Sequence, residues 1–185
     1  MQHLNRDELL ELLRAARQHN ERDWLALLVG FWHGLRVSEI TSFKRDAVRD
    51  GYLTIQRLKG SLKTVQPLIA HEEPLLDERT ALIARVKRTP VGRPVFDLSR
   101  QHFWRLIRRH GKTAGIAEHK LHPHILKHSI AMQTIETAGI ENVRQYLGHK
   151  SISSTGAYLK VDDDAASQAI AGAIKRDKKA DDDAS

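Results

Sequence analysis

Apolar and polar residues alternate at helical spacing over the first part of the chain and predict three helices. Asn5 is a good N-cap for an amphipathic helix. Asn20 is placed to cap a second helix, in which residues 24–32 are apolar on nearly every side, so this helix should be buried. Gly34 ends it, and a short third helix is predicted over residues 37–43.

The periodicity then changes from helical to extended. Asp50-Gly51 is a turn signal, and the short run 52–55 is rich in residues that favour strands. A second turn signal leads into another extended stretch that contains Pro67. Residues 47–70 are therefore predicted to form a small antiparallel sheet of two or three strands, with Pro67 at an edge.

The remainder of the chain is helical in pattern. Helices are predicted over residues 72–88, 99–114, 123–137, 141–147, 153–159 and 162–174. Residues 177–185 are predicted to be a disordered tail. The fold class is therefore α+β and mainly α-helical, with a single domain over residues 1–176.

The composition excludes several classes of protein. The 185 residues are 41% hydrophobic and 29% charged and include no cysteine. The missing cysteine rules out a disulfide scaffold, a cysteine-ligated zinc finger, an iron–sulfur cluster and thiol catalysis. No apolar run approaches the ~18–20 residues that span a bilayer, and the charged N-terminus has no signal-peptide core. A cytoplasmic protein without membrane association is expected.

The charge is unevenly distributed. The net charge is +7, yet residues 161–185 hold seven of the acids and four of the bases. Residues 1–160 therefore carry 26 bases and 16 acids. Such a basic body favours a polyanionic partner, most often nucleic acid, although charge alone leaves simple solubility as an alternative.

No metal or nucleotide motif is present. His124 and His128 stand four apart on a predicted helix, with His119 and His122 just before them. A zinc site there is conceivable, but no carboxylate or cysteine nearby completes it. No metal and no cofactor are predicted.

Three separated segments carry the candidate chemistry. The first, residues 34–40, places Arg36 between a buried helix and a short one. In the second, His124 and Lys127 share one helical face near a helix N-terminus, a position that favours bound phosphate. The third is Leu147-Gly148-His149-Lys150-Ser151, with Tyr158 nine residues after the histidine. Taken singly, each segment could equally be an ordinary surface feature.

Together these segments resemble the catalytic domain of the tyrosine recombinases, or phage integrases, over about residues 5–175. Residues 34–39 fit the family's first box, G-L-R-x-S-E. Residues 124–129 fit the second, H-x-L-R-H-[ST], except that Lys127 stands where the family has arginine. The third box, L-G-H-x-[ST] with its later tyrosine, is matched by residues 147–151 and Tyr158.

The resemblance implies an integrase catalytic-domain fold and site-specific cleavage and rejoining of double-stranded DNA through a covalent 3′-phosphotyrosyl intermediate, without ATP or metal. It also implies the role of each site residue: Tyr158 is the nucleophile, Arg36 and Lys127 stabilise charge on the phosphoryl oxygens, His124 shares in proton handling, His149 hydrogen-bonds a non-bridging oxygen and Lys59 protonates the leaving 5′-oxygen. Lys63 competes for the place of Lys59. Tyr52 and Tyr146 are better explained by packing in the sheet and in the core.

Two departures from the family pattern leave alternatives. Lys127 keeps the positive charge but loses the planar fork that grips two phosphate oxygens. A DNA-binding protein of the same fold with weak or no catalysis is one alternative, and a type IB topoisomerase, which shares the chemistry, is another. The family's N-terminal DNA-clamping domain has no counterpart here, so a fragment of a longer protein is expected. Relatives self-associate on DNA, and residues 162–174 are a candidate contact, with packing in cis as the alternative.

Overall fold

The computed structural model describes residues 2–57 and 62–150. In these ranges the α-helices and strands are α1 Arg6–His19, α2 Glu21–Trp32, α3 Val37–Ser42, β1 Val48–Arg49, β2 Tyr52–Ile55, β3 Thr64–Pro67, α4 Glu78–Arg88, α5 Arg100–Thr113, α6 Ile125–Ala138 and α7 Ile140–Tyr146. The fold is α+β and mainly α-helical, as predicted. The helices predicted over 153–159 and 162–174 and the tail predicted over 177–185 lie outside the described residues.

The first two helices form the centre of the core. The Asn5 side chain accepts a hydrogen bond from the Glu8 N–H (2.8 Å), and the Glu8 carboxylate accepts one from the Asn5 N–H (2.9 Å), so the predicted cap is a capping box. Every residue from 23 to 31 of α2 is buried. Gly30 lets α6 approach closely, because a Cβ there would lie 3.2 Å from Leu126 Cδ1. This packing brings the start of α6 beside the end of α2.

The sheet is antiparallel with strand order β1-β2-β3 and lies within the predicted range. Asp50 and Gly51 have φ values of 52° and 79°, the two left-handed residues in succession that a tight turn between β1 and β2 requires. Pro67 pairs with Tyr52 on the edge strand β3, where its missing N–H costs no ladder hydrogen bond.

One predicted boundary is wrong. The helix predicted over residues 72–88 begins only at Glu78. The carbonyl oxygens of Leu75 and Leu76 accept hydrogen bonds from the indole N–H groups of Trp24 (2.9 Å) and Trp32 (3.0 Å). These contacts hold the segment before α4 in an irregular conformation. The other predicted helices in the described ranges agree with the structure to within two residues.

No described helix combines the length and the apolarity that crossing a bilayer requires.

Candidate active site

The first box forms the turn from α2 into α3. Gly34 has a φ of 55°, and a Cβ at this position would overlap the side chain of Leu147. Glycine is therefore needed both for the backbone conformation and for contact with the third box. Arg36 follows as the residue before α3. Its N–H donates to Glu39 Oε2 (2.8 Å) and its guanidinium donates to Glu39 Oε1 (3.2 Å), so Glu39 fixes both ends of Arg36.

The third box follows α7 and packs against the segment between β2 and β3. Gly148 has a φ of 69°, and a Cβ there would lie 2.9 Å from both Arg57 Cγ and the Leu62 carbonyl oxygen. The Leu62 N–H donates to the Gly148 carbonyl oxygen (3.1 Å). His149 comes next and is buried.

The second box contributes Lys127 from the first turns of α6. Lys127 is only 5% exposed, and its ammonium donates to the Leu147 carbonyl oxygen (3.2 Å). Burial lowers the pKa of Lys127 to about 7, and the charges of Arg57 and Arg36 act in the same direction, whereas Glu39 opposes them. Lys127 therefore lies between the first and third boxes, among other cations.

His149 belongs to the same environment. The pKa of His149 is lowered to about 4. Burial is the largest cause, and the charges of Lys127, Arg36 and Arg57 act in the same direction. Its imidazole is therefore neutral near pH 7 and can donate one hydrogen bond and accept another. Arg36, Arg57, Lys127 and His149, called the cationic cluster below, come from four separate segments of the chain.

His124 lies at the N-terminal end of α6, one turn before Lys127, and is exposed. Its ring stacks on His128 with centroids 6.2 Å apart. The neighbouring Pro123 lines an open cleft together with Val37, which follows Arg36 in the chain. His124 is thus placed beside this cleft.

The cleft has a volume of about 660 Å³ and is bounded on one side by α5. Its α5 residues are Arg100, Gln101, Trp104 and Arg105. The guanidinium of Arg108 lies over the Trp104 ring at 4.7 Å, and Trp104 is 43% exposed. Cations interleaved with an exposed aromatic residue are typical of surfaces that bind nucleic acid.

Lys59 and Tyr158 lie outside the described residues, so the convergence of all six predicted residues stays a prediction. The competitor Lys63 is exposed, immediately before β3. Of the other tyrosines, Tyr52 is 49% exposed on β2, and Tyr146 donates its hydroxyl to the Trp32 carbonyl oxygen (2.7 Å). Burial, with the charge of Glu78, raises the pKa of Tyr146, which makes it a poorer nucleophile.

Sequence reasoning missed two members of this region. Glu39 was included in the first box without a role. Arg57 was not singled out at all, yet the sequence contains a signal for it. Leu53 and Ile55 face the core from β2, and the alternation of a strand puts residue 57 on the same buried face. An arginine in that register needs several buried acceptors.

A second buried charged group lies elsewhere, where α1, α2 and α5 meet. Asp23 accepts hydrogen bonds from Arg22 (2.9 and 3.1 Å) and is 3.0 Å from His110 Nε2 and 3.6 Å from His19 Nδ1. These four residues are called the Asp23 cluster below. Ligand-type atoms of His19, Asp23 and His110 lie within 4.8 Å of one another, but Arg22 binds the carboxylate and Arg109 approaches His19 Nε2 (3.3 Å). Two guanidinium groups at this place disfavour a metal cation.

Comparison with known proteins agrees with the geometry. The phage integrase family matches residues 2–165. Tyrosine recombinase XerA of Thermococcus kodakarensis is 32% identical over 169 residues, which are 85% of this chain and 57% of the relative. Type 1 fimbriae regulatory protein FimE of Escherichia coli K12 is 33% identical over 146 residues, which are 74% of this chain and 73% of the relative.

Solved structures share the fold. A crystal structure of XerA recombinase superimposes with a TM-score of 0.71 at 25% identity, over 93% of this chain and 63% of that one. A lambda integrase dimer bound to a COC′ core site has a TM-score of 0.68 at 23% identity, over 84% of this chain and 47% of that one. The chain spans little more than half the length of the XerA relatives it matches. Fold, boxes and sequence similarity together place the chain in the phage integrase family.

Proposed function

We propose that this chain is the catalytic part of a site-specific DNA recombinase that cuts and rejoins strands through a covalent bond to Tyr158. The observation that carries the proposal is the cationic cluster. Arg36, Lys127 and His149 belong to three boxes that span more than a hundred positions. Contacts connect these boxes, because Arg36 shares Glu39 with Arg57, Arg57 donates to the Tyr146 carbonyl oxygen before the third box, and Lys127 donates to the Leu147 carbonyl oxygen within it. A phosphodiester is the kind of ligand that such a set of fixed donors suits.

In the proposed reaction the Tyr158 oxygen attacks the scissile phosphorus and forms a phosphotyrosyl bond to the 3′ side of the strand. The bond from phosphorus to the 5′-oxygen breaks, and Lys59 donates the proton that this oxygen takes up. His124 accepts the proton that the Tyr158 hydroxyl loses. The covalent intermediate conserves the energy of the phosphodiester, so rejoining needs no ATP.

The positive side chains would act on the non-bridging oxygens. Arg36, oriented by Glu39, and Lys127 would stabilise the charge that develops there, and neutral His149 would donate one hydrogen bond. An arriving phosphate favours the protonated form of Lys127, which raises its pKa again. Lys127 is therefore charged when the substrate is bound. In the free site its pKa is about 7, so only part of the lysine is protonated at neutral pH.

DNA is proposed to run across the α5 cleft. Arg100 and Arg105 are placed to neutralise phosphates, and they lie next to the residues that flank Arg36 and His124. Phosphate neutralisation supplies most of the affinity of such interfaces and makes it sensitive to salt. Residues 1–176 would act as one domain, in the cytoplasm of a bacterial or phage-infected cell.

Self-association on DNA is part of the proposal. A largely apolar groove of about 250 Å³ lies between α6 and α7, and its lining includes Ile130, Ala131 and Val143. Residues 162–174 have alanine and isoleucine at helical spacing. We propose that this apolar segment of one copy binds in the groove of a second copy. One of the solved relatives is a lambda integrase tetramer bound to a Holliday junction.

The deciding experiment uses a pool of nicked duplexes with randomised core sequences, in which strand cleavage traps the covalent complex. A covalent protein–DNA band that is lost in Tyr158→Phe supports the recombinase. Binding without such a band, also after Lys127→Arg, supports a DNA-binding protein with little catalysis, the alternative that Lys127 motivates. Relaxation of supercoiled plasmid without site preference supports a type IB topoisomerase instead.

A further inference from the structure

We propose that Arg57 is a positioning residue for strand cleavage, whose buried guanidinium holds the first box, the third box and the start of β3 in one arrangement. The proposal rests on the recombinase function proposed above. It concerns a residue that none of the three boxes contains.

Arg57 connects segments that are far apart in the sequence. Among the described residues, its five hydrogen bonds go to the carbonyl oxygens of His33 (2.8 Å), Gly34 (3.2 Å) and Tyr146 (3.3 Å), to Glu39 Oε2 (3.2 Å) and to Thr64 Oγ1 (2.9 Å). The His33 and Gly34 carbonyls belong to the two residues just before Leu35-Arg36. The Tyr146 carbonyl directly precedes the third box, and Thr64 begins β3. One side chain therefore fixes the backbone on both sides of the site.

Only arginine supplies this pattern. A guanidinium presents five N–H donors in a rigid plane, whereas an ammonium presents three donors around one atom. Arg57 is 3% exposed, so it lies beneath the surface that would meet DNA. Its effect on the reaction must therefore pass through the groups it holds, above all Glu39, which binds both Arg57 and Arg36.

The third box is shaped around Arg57. Gly148 lacks a Cβ where the Arg57 stem passes, since a Cβ there would lie 2.9 Å from Arg57 Cγ. On the returning side of the hairpin, the Leu62 N–H donates to the Gly148 carbonyl oxygen. The two described residues that flank segment 58–61 thus both meet the third box. That segment contains Lys59, the proposed proton donor.

Arg57 also contributes to the charge state of the site. After burial, the charge of Arg57 is among the causes that lower the pKa of Lys127 and of His149. A neutral residue at position 57 should raise both pKa values. Because burial is the first cause of both low pKa values, Arg57→Lys, which restores the charge, is needed to separate the effect of charge from that of packing.

Four variants of the full chain separate positioning from packing: Arg57→Met, Arg57→Lys, Thr64→Val and, as a matched control, Arg85→Met. Arg85 is a partly buried arginine with other partners: it donates to the Val95 carbonyl oxygen (2.8 Å) and lies over the Phe96 ring. The His149 titration is followed by NMR without DNA, with its signal assigned from His149→Gln. Single-turnover cleavage and non-covalent DNA affinity are measured on the nicked duplexes.

Arg57→Met is expected to raise the pKa of His149 above about 4 and to slow cleavage by about a hundredfold, with little change in DNA affinity. Arg57→Lys should restore the low pKa of His149 but only part of the rate, because the charge returns without the fork. Thr64→Val keeps the charge and removes one acceptor, and a loss of about tenfold in rate is expected. Arg85→Met should change neither the titration nor the rate.

Two results would overturn the proposal. One is an unchanged His149 pKa in a folded Arg57→Met protein. The other is cleavage at the parent rate in both Arg57→Lys and Thr64→Val, which also covers the case in which Arg57→Met does not fold. Failure of the parent chain to form a Tyr158-dependent covalent complex would instead contradict the proposed function, while the His149 titration would still decide the role of Arg57.

Discussion

The Asp23 cluster and the cationic cluster are each centred on a buried ionisable side chain, Asp23 or Lys127, but the charges around it are balanced in opposite ways. At Asp23 a carboxylate is the centre. Burial alone would raise its pKa, yet the hydrogen bonds from His110 and Arg22 outweigh burial and lower the pKa to about 2. At Lys127 a cation is the centre, and burial lowers its pKa to about 7 with further lowering by neighbouring cations.

This difference separates a structural group from a candidate binding site. Asp23 keeps its ionised form because His110 and Arg22 donate hydrogen bonds to its carboxylate. In the cationic cluster, burial and the neighbouring cations disfavour the ionised form of Lys127, and the charge of Glu39 offsets this only in part. A bound phosphate would supply the missing negative charge.

The largest expected effect concerns Lys127. Lys127→Ala should slow single-turnover cleavage by about 10²–10³, because the developing negative charge loses a fixed cation. Lys127→Arg should keep or raise the rate, since the fork adds a second donor. Cleavage at the parent rate in Lys127→Ala would contradict the assignment of the second box. A fall in rate for Lys127→Arg would mean instead that the surroundings, including the Leu147 carbonyl, are shaped around lysine.

The next effect is on stability and belongs to the other cluster. Asp23→Ala removes one partner of a buried ion pair and should lower the free energy of unfolding by about 3 kcal/mol, measured by urea denaturation. Cleavage by the fraction that is folded should not change. If Asp23→Ala abolishes cleavage in folded protein, the two clusters are coupled and the comparison between them fails.

The pH dependence of stability gives the same variant a second readout. Asp23 has a lower pKa in the folded chain than its ordinary value of 3.8, so its stabilisation is present above that value and is lost as the pH falls toward about 2. Asp23→Ala should therefore flatten the acid limb of stability against pH in that range. An unchanged acid limb would show that other carboxylates govern it.

The sequence predicted most of what local patterns determine. Helix caps such as Asn5 and the turn at Asp50-Gly51 are encoded by neighbours in the chain, and both predictions are confirmed. The start of α4 was missed because the carbonyls of Leu75 and Leu76, which override the helical pattern, are bound by tryptophans 51 and 44 positions away. Arg57 was missed for the same physical reason, since its partners lie 7 to 89 positions from it.

A smaller effect concerns protons taken up on binding. The free site holds the pKa of Lys127 near 7, and a bound phosphate raises it, so DNA binding above pH 7 should take up as much as one proton per site. Affinity should then fall as the pH rises, by at most about tenfold per unit. Calorimetry in two buffers of different ionisation enthalpy counts the protons. Lys127→Arg serves as the control, because its side chain is already charged and should take up none.

The smallest expected effect tests the extent of the cationic surface beyond the cluster. Arg105 lines the cleft on α5, and its replacement in Arg105→Ala should reduce the slope of log affinity against log salt by about 0.9, the contribution of one neutralised phosphate. Arg93→Ala is the matched control, since Arg93 is an exposed arginine outside this cleft, 3.6 Å from Asp97. Affinities at three or more salt concentrations give the slope for each protein. Equal slopes for the parent and Arg105→Ala would remove α5 from the DNA interface, whereas an equal loss in both variants would mean that the interface has no preferred face. The rate of cleavage once DNA is saturating should be the same in all three proteins, because Arg105 is proposed to hold the duplex and not the scissile phosphate.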